Sequence, residues 1–85
     1  MNNSSPLTKR LKEARKNAGL SQKELGIRAG IDEFSASPRM NQYENGTHSP
    51  DFMMLKKISD VLGVPTAYFY AEDDGLAEYI LKYGK

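Results

Sequence analysis

Apolar residues recur along this chain at three- and four-residue intervals, the spacing that lines one face of an α-helix. A polar start, MNNSS, reads as a flexible tail over residues 1–5. Ser5 and Pro6 then mark a helix start, serine as the cap and proline at the first helical position. Leu7, Leu11, Ala14 and Ala18 share a face up to Gly19, giving a first helix over 6–18. Leu20 leads into Ser21-Gln22-Lys23-Glu24, the S-x-x-E capping box, in which cap and third residue satisfy each other's free backbone N–H. The second helix runs on to Ala29, turns Leu25 and Ala29 inward, and stops at Gly30. Gly26 inside it costs roughly 1 kcal/mol relative to alanine, which predicts a second backbone passing close by.

Ile31–Ala36 shows no clean period. Ser37-Pro38 repeats the cap-plus-proline signal, and Met40 with Tyr43 gives one buried stripe, so a third helix is expected over 38–45, before Gly46. Ser49-Pro50 predicts a fourth, with Phe52, Leu55, Ile58 and Leu62 inward and a stop at Gly63. Pro65–Tyr70 reads as a short apolar helical turn. Asp73-Asp74 can cap a last helix, Gly75–Tyr83, with Leu76, Ile80 and Tyr83 on one side. No segment alternates with the period of a strand, and there is no internal repeat. The expected fold is all-α, with one domain over residues 6–70 and a helical extension over 71–85.

Composition narrows this further. A chain of 85 residues buries only about 60% of the surface its unfolded form exposes, so it holds one core at most. The lack of cysteine excludes a disulfide scaffold and any thiolate zinc site. The longest apolar run is Ala67–Ala71, against roughly 18 residues for a membrane span, and the start lacks the layout of a secretory signal. A cytoplasmic protein without a membrane partner is expected. The net charge of +1 conceals an asymmetry. Residues 1–30 hold seven Lys/Arg against two acids, whereas residues 31–85 hold five against nine. That permits an anionic partner at one end, and equally a solvated helix surface.

Two short helices joined by a Gly-containing turn inside a helical unit make the helix-turn-helix layout. The run Arg15–Leu25 (RKNAGLSQKEL), then Ala29-Gly30-Ile31, Tyr43-Glu44-Asn45-Gly46, Pro50, Leu55 and Val61-Leu62-Gly63-Val64, resembles the phage repressor and Cro-like, or XRE-type, helix-turn-helix family. The resemblance covers roughly residues 7–70. It implies a five-helix lambda-repressor-like DNA-binding domain, here with an additional C-terminal helix. One departure stands out: Gly30 to Glu44 spans fourteen residues, against about ten in such proteins. Either Asp32–Ser35 forms a longer loop with Phe34 tucked against the core, or the third helix starts at Asp32 and breaks at Pro38. Proline costs about 3 kcal/mol inside a helix and little at its first position, which favours the loop, with Ser37 as cap.

At 100° per residue Met40 and Tyr43 point one way, while Pro38, Asn41, Gln42 and Asn45 point the other, with Arg39 on the flank. Gln and Asn can pair both polar edge groups of adenine, and Arg those of guanine, at roughly 1–3 kcal/mol of discrimination each. The resemblance implies that Gln42 reads a base and that Ser37 aligns with another reading position; Arg39 and Asn41 complete the candidate base-contact set. It also aligns Gln22 and Asn45 with phosphate-clamping positions, beside which Lys23 and Arg28 can supply charge. Arg15 and Glu44 align with an ion pair found in some relatives. Most of the basic residues of the first helix, Lys9, Arg10, Lys12 and Lys16, are expected to be solvated.

Nothing points to catalysis, a cofactor, a metal or a small-molecule ligand. His48 is the single histidine, in a Thr-His-Ser loop, and Glu72-Asp73-Asp74 suits a cap and dipole partner better than a cation site. The expected function is sequence-specific binding of double-stranded DNA by a transcriptional regulator, a repressor that occupies an operator as a homodimer. Alternatives are the regulator of a neighbouring gene cassette, such as an antitoxin or restriction–modification controller, and a protein-interaction module that has lost DNA binding. The aromatic end of the chain, with Tyr68, Tyr70, Leu76, Ile80 and Tyr83, is the expected dimer contact.

Overall fold

Side-chain caps start four of the five α-helices in the computed structural model, which describes residues 5–83. The helices are α1 (Leu7–Asn17), α2 (Gln22–Arg28), α3 (Glu33–Asn45), α4 (Phe52–Leu62) and α5 (Asp74–Lys82), with a 3-10 turn at Thr66–Tyr70. No strand forms among the described residues. The tail expected at residues 1–5 lies outside them, except for Ser5, whose Oγ accepts from Leu7 N at 3.3 Å. At α2 the capping box is complete. Glu24 N donates to Ser21 Oγ at 3.0 Å, and Ser21 N donates to Glu24 Oε1 at 2.8 Å. The Ser21 backbone N–H and hydroxyl together hold the Glu24 carboxyl below its ordinary range.

The third helix departs from the expected loop. Asp32, not Ser37, is its cap, accepting from Phe34 N at 3.1 Å, and the helix runs through Pro38 without stopping. Ser37 is therefore a mid-helix residue. The reason is tertiary. Ala36, Met40 and Tyr43 form one buried stripe, and Ala36 sits against Gly26, where an added Cβ would meet Ala36 Cβ at 2.8 Å and its carbonyl oxygen at 2.9 Å. Within α3, Ala36 fills that gap. Its packing offsets the loss of one backbone donor at Pro38, a local cost of about 3 kcal/mol. Phe34 is not tucked under a loop; it is 92% exposed.

Two smaller expectations also move. α4 is capped by Asp51, accepting from Met54 N at 2.8 Å, so Ser49-Pro50 precedes the cap, with Pro50 buried. Phe52 consequently faces solvent, while Leu55 and Ile58 fill the core. The C-termini of α3 and α4 close on Gly46 and Gly63, whose φ values of 84° and 70° are left-handed, a conformation glycine adopts without a Cβ penalty.

Leu7, Leu11, Leu25, Met40, Leu55 and Phe69 form the centre of one core shared by all the helices. Tyr68 belongs to it as well. At 2% exposure, with its hydroxyl donating to Glu13 Oε1 at 2.9 Å, it is a core residue and not available to a partner. α5 covers the far side of the core through buried Ala77 and half-buried Ile80 and Leu81.

Arg10 is the least expected member of this interior. Instead of being solvated it is 2% exposed, and it stitches α1 to the start of α5. Its Nε donates to the Ala71 carbonyl at 2.9 Å and one terminal nitrogen to the Glu72 carbonyl at 3.3 Å. Glu13 at 3.3 Å and Asp74 at 3.0 Å supply the counter-charge, and the guanidinium lies 5.8 Å from the Tyr68 ring centre. Burial by itself would lower its pKa, but the hydrogen bonds to Asp74 and Glu13 outweigh it and raise it.

Candidate nucleic-acid interface

The turn Ala29–Asp32 sets α3 across α2, and the Gly26–Ala36 contact lets the two backbones approach closely. With Ala36, Met40 and Tyr43 buried, helical phase leaves the opposite face of α3 outward. There Arg39, Asn41 and Asn45 are exposed, and Ser37 and Gln42 half-buried. The candidate base-contact residues thus share one helix and flank one stripe. Lys23 and Arg28 are exposed on α2, Lys23 lying 3.6 Å from Glu33 at the start of α3.

The face is held by a network between three elements. Arg15 Nε meets Glu44 Oε2 at 2.6 Å and its Nη2 meets Oε1 at 3.0 Å, while Nη1 donates to the Leu20 carbonyl at 2.9 Å. This two-pronged pair is nearly closed to solvent, the side chains being 11% and 5% exposed. The Glu44 hydrogen bonds raise the Arg15 pKa against the pull of burial, so the guanidinium stays charged. The pair joins α1 to α3 and fixes the rotation of α3 about its own axis.

Gln22 takes a different place from the one read in the sequence. Its Nε2 donates to Glu44 Oε1 at 3.1 Å and to Asn41 Oδ1 at 3.3 Å. Its amide hydrogens are directed to acceptors within the protein, beside a Glu44 carboxylate that Arg15 already pairs. Gln22 braces α3, and no spacing rule in the sequence could have shown this contact across nineteen residues. Asn45, the other candidate phosphate contact, is exposed at the end of α3. Its Oδ1 accepts from Thr47 N at 2.9 Å, and no acceptor among the described residues takes its Nδ2 hydrogens.

At the other end, Tyr70, Leu76, Tyr79 and Tyr83 are exposed, while Ile80 leans on the core. Among the described residues no helix is long and apolar enough to cross a membrane, and no three His, Cys, Asp or Glu side chains gather as a metal site.

A capped helix, a four-residue turn and a second helix braced by a buried ion pair, presenting a polar Arg/Asn/Gln face, define a helix-turn-helix domain of the DNA-binding class. The chain belongs to the XRE-type helix-turn-helix family: the family model described as a helix-turn-helix domain matches residues 8–79. It is 37% identical over 68 residues to the HTH-type transcriptional regulator ImmR of Bacillus subtilis (strain 168), covering 80% of this chain and 50% of that protein. The chain therefore spans about half the length of this curated relative. The crystal structure of the transcriptional regulator BswR matches with a TM-score of 0.84 and 56% identity, over 88% of this chain and 74% of that one.

Proposed function

We propose that this chain is a sequence-specific DNA-binding repressor that works in the cytoplasm, acts by binding rather than catalysis, and occupies an operator as a homodimer. The observation that carries the reading is the polar outer face of α3, locked in orientation by the Arg15–Glu44–Gln22 network. Exposed Arg39 and Asn41 with half-buried Gln42 on a rigid helix match the hydrogen-bonding edges of bases in a major groove. In this reading Ser37, Arg39, Asn41 and Gln42 contact bases. Lys23, Arg28 and Asn45 contact phosphates, and Gln22 holds Asn41 and Glu44 in position.

One such domain reaches only a few base pairs, and dimers gain specificity by placing two copies about 34 Å apart, one helical turn of DNA. Leu76, Tyr79 and Tyr83 recur along α5 beside its core-facing side, and with Tyr70 they form the apolar surface that a second copy would cover. Residues 6–70 then act as the DNA-binding domain and 71–85 as its assembly segment.

Selection of bound duplexes from random DNA, followed by gel shifts against unlabelled competitor, tests the proposal. A recovered two-fold-symmetric consensus is expected, and Gln42→Ala should relax one position of each half-site at a cost of ~1–3 kcal/mol. Recovery of no consensus would remove the reading in favour of a protein-interaction module.

A further inference from the structure

Phe34 lies in the first turn of α3 and is more exposed than any other large hydrophobic residue of the described chain, at 92%. Its direction is set. Asp32 accepts from its backbone N–H at 3.1 Å, and Glu33 is drawn aside toward Lys23 at 3.6 Å. Helical phase puts Phe34 at the head of the stripe Phe34-Pro38-Asn41-Asn45, spaced i, i+4, i+7, i+11, directly opposite buried Ala36, Met40 and Tyr43. The first two members of the stripe are apolar and the last two are amides, and all four are exposed. The face assigned to DNA therefore has two chemistries in sequence along one helix.

We propose that Phe34, with Pro38 behind it, is a specificity-determining residue that reads the 5-methyl group of thymine in the major groove. This rests on the DNA-binding reading above and extends it to a residue that neither charge nor hydrogen-bonding capacity would select. The thymine methyl is the one apolar feature on the major-groove edge of the four bases, and an aromatic side chain is among the groups that meet it by apolar contact. Phe34 stands about 10 Å along the helix axis from Asn41, at 1.5 Å per residue. The methyl-reading position should therefore fall within about three base-pair steps of the position read by Asn41, at ~3.4 Å per step. Asp32 and Glu33 beside it are anionic, which disfavours an alternative seat for this turn against the phosphate backbone.

The test uses the duplex recovered by binding-site selection, with each thymine replaced in turn by deoxyuridine, which deletes only the methyl group. One replacement per half-site is expected to weaken binding of the parent protein about fourfold, the worth of burying a single methyl-sized group. Phe34→Ala should bind the thymine duplex more weakly and lose the distinction between thymine and uracil at that position alone. Because Phe34 is almost wholly exposed and alanine favours helix, the variant should melt with the parent. Equal binding of every uracil duplex by the parent, a recovered site with no thymine within that spacing, or a full uracil penalty retained by Phe34→Ala would each overturn the proposal while leaving DNA binding intact. Absence of any sequence-preferring binding would overturn the DNA-binding reading first, and this one with it.

Discussion

Arg10 and Arg15 lie on the same helix five residues apart, and both bury a guanidinium, yet they secure opposite ends of the molecule by different means. Arg15 pairs with a carboxylate that is itself nearly closed to water, Glu44, and so joins two elements through one charge pair. Arg10 is as buried, but its carboxylate partners Glu13 and Asp74 are 46% and 75% exposed, and its shortest bond is to the Ala71 carbonyl. The first arrangement locks: neither charge can exchange its partner for water without leaving the other stranded. The second tethers: the guanidinium satisfies the buried Ala71 carbonyl and reaches the part-buried carbonyl of Glu72, and its ion pairs lie where salt screens them. The locked end carries the proposed reading helix, and the tethered end carries the proposed dimer surface.

The largest loss of stability is expected at Arg15. Arg15→Ala leaves the Glu44 carboxylate buried without its main partner, and an unfolding loss of about 3–5 kcal/mol is expected in urea titration. Arg15→Met with Glu44→Leu should restore most of that stability, since the charge pair is replaced by apolar volume. A single variant that matched the double would mean that the pair is not coupled. Arg10→Ala should cost less, about 2 kcal/mol, chiefly from the orphaned carbonyl of Ala71. It should loosen α5 while leaving the α3 face intact, which amide hydrogen exchange can resolve helix by helix.

Tyr68 sharpens the contrast through pH. Burial, then its bond to Glu13, pushes the hydroxyl up to about 12 from an ordinary value near 10. A raised folded-state value means that the stabilisation is complete below the unfolded value and is lost as pH climbs from there through about 12. Stability measured across that alkaline window should fall, and Tyr68→Phe should fall less steeply. Asp74 gives the acid counterpart. Lys9 first, and Arg10 second, hold its carboxyl below the usual range, so its contribution is present above the ordinary carboxylate value and fades as pH drops through the lowered one. Asp74→Asn should flatten only that acid limb. The smallest effect on stability is expected for Leu76→Asp with Tyr79→Asp. Both side chains are exposed, so the melting temperature should hold while sedimentation shows whether the mass falls to that of one chain.

Much of the fold was legible because its signals are local. The Ser21–Glu24 box, the stop at Gly30 and the stripe Leu7-Leu11-Ala14 depend on neighbours within four residues. The Arg15–Glu44 pair was legible through family resemblance, and not through spacing. What stayed hidden depends on contacts far apart in the chain. Pro38 looked like a helix start because its penalty is local, whereas the compensation, Ala36 seated on Gly26, is tertiary. Arg10 looked solvated because its strongest acceptors are carbonyls of residues 71 and 72, which carry no side-chain signature. Tyr68 reads as spare aromatic surface because its partner is distant in the chain, its hydroxyl finding the Glu13 carboxylate across 55 residues.

Of the four surplus residues before Glu44, Asp32 is the cap and Glu33, Phe34 and Ser35 are helical, so the start of α3 moves by four positions, and four residues turn an α-helix through about 400°, close to one full revolution. Lengthening α3 by that amount leaves everything downstream facing nearly as before: Met40 and Tyr43 still seat in the core and Glu44 still finds Arg15. An insertion of two would have rotated the same residues by about 200°, burying Asn41 and expelling Met40. The helix behaves as a gear that accepts new teeth only by the whole turn. A whole-turn extension therefore lengthens the outer face of α3 without disturbing the scaffold that holds it.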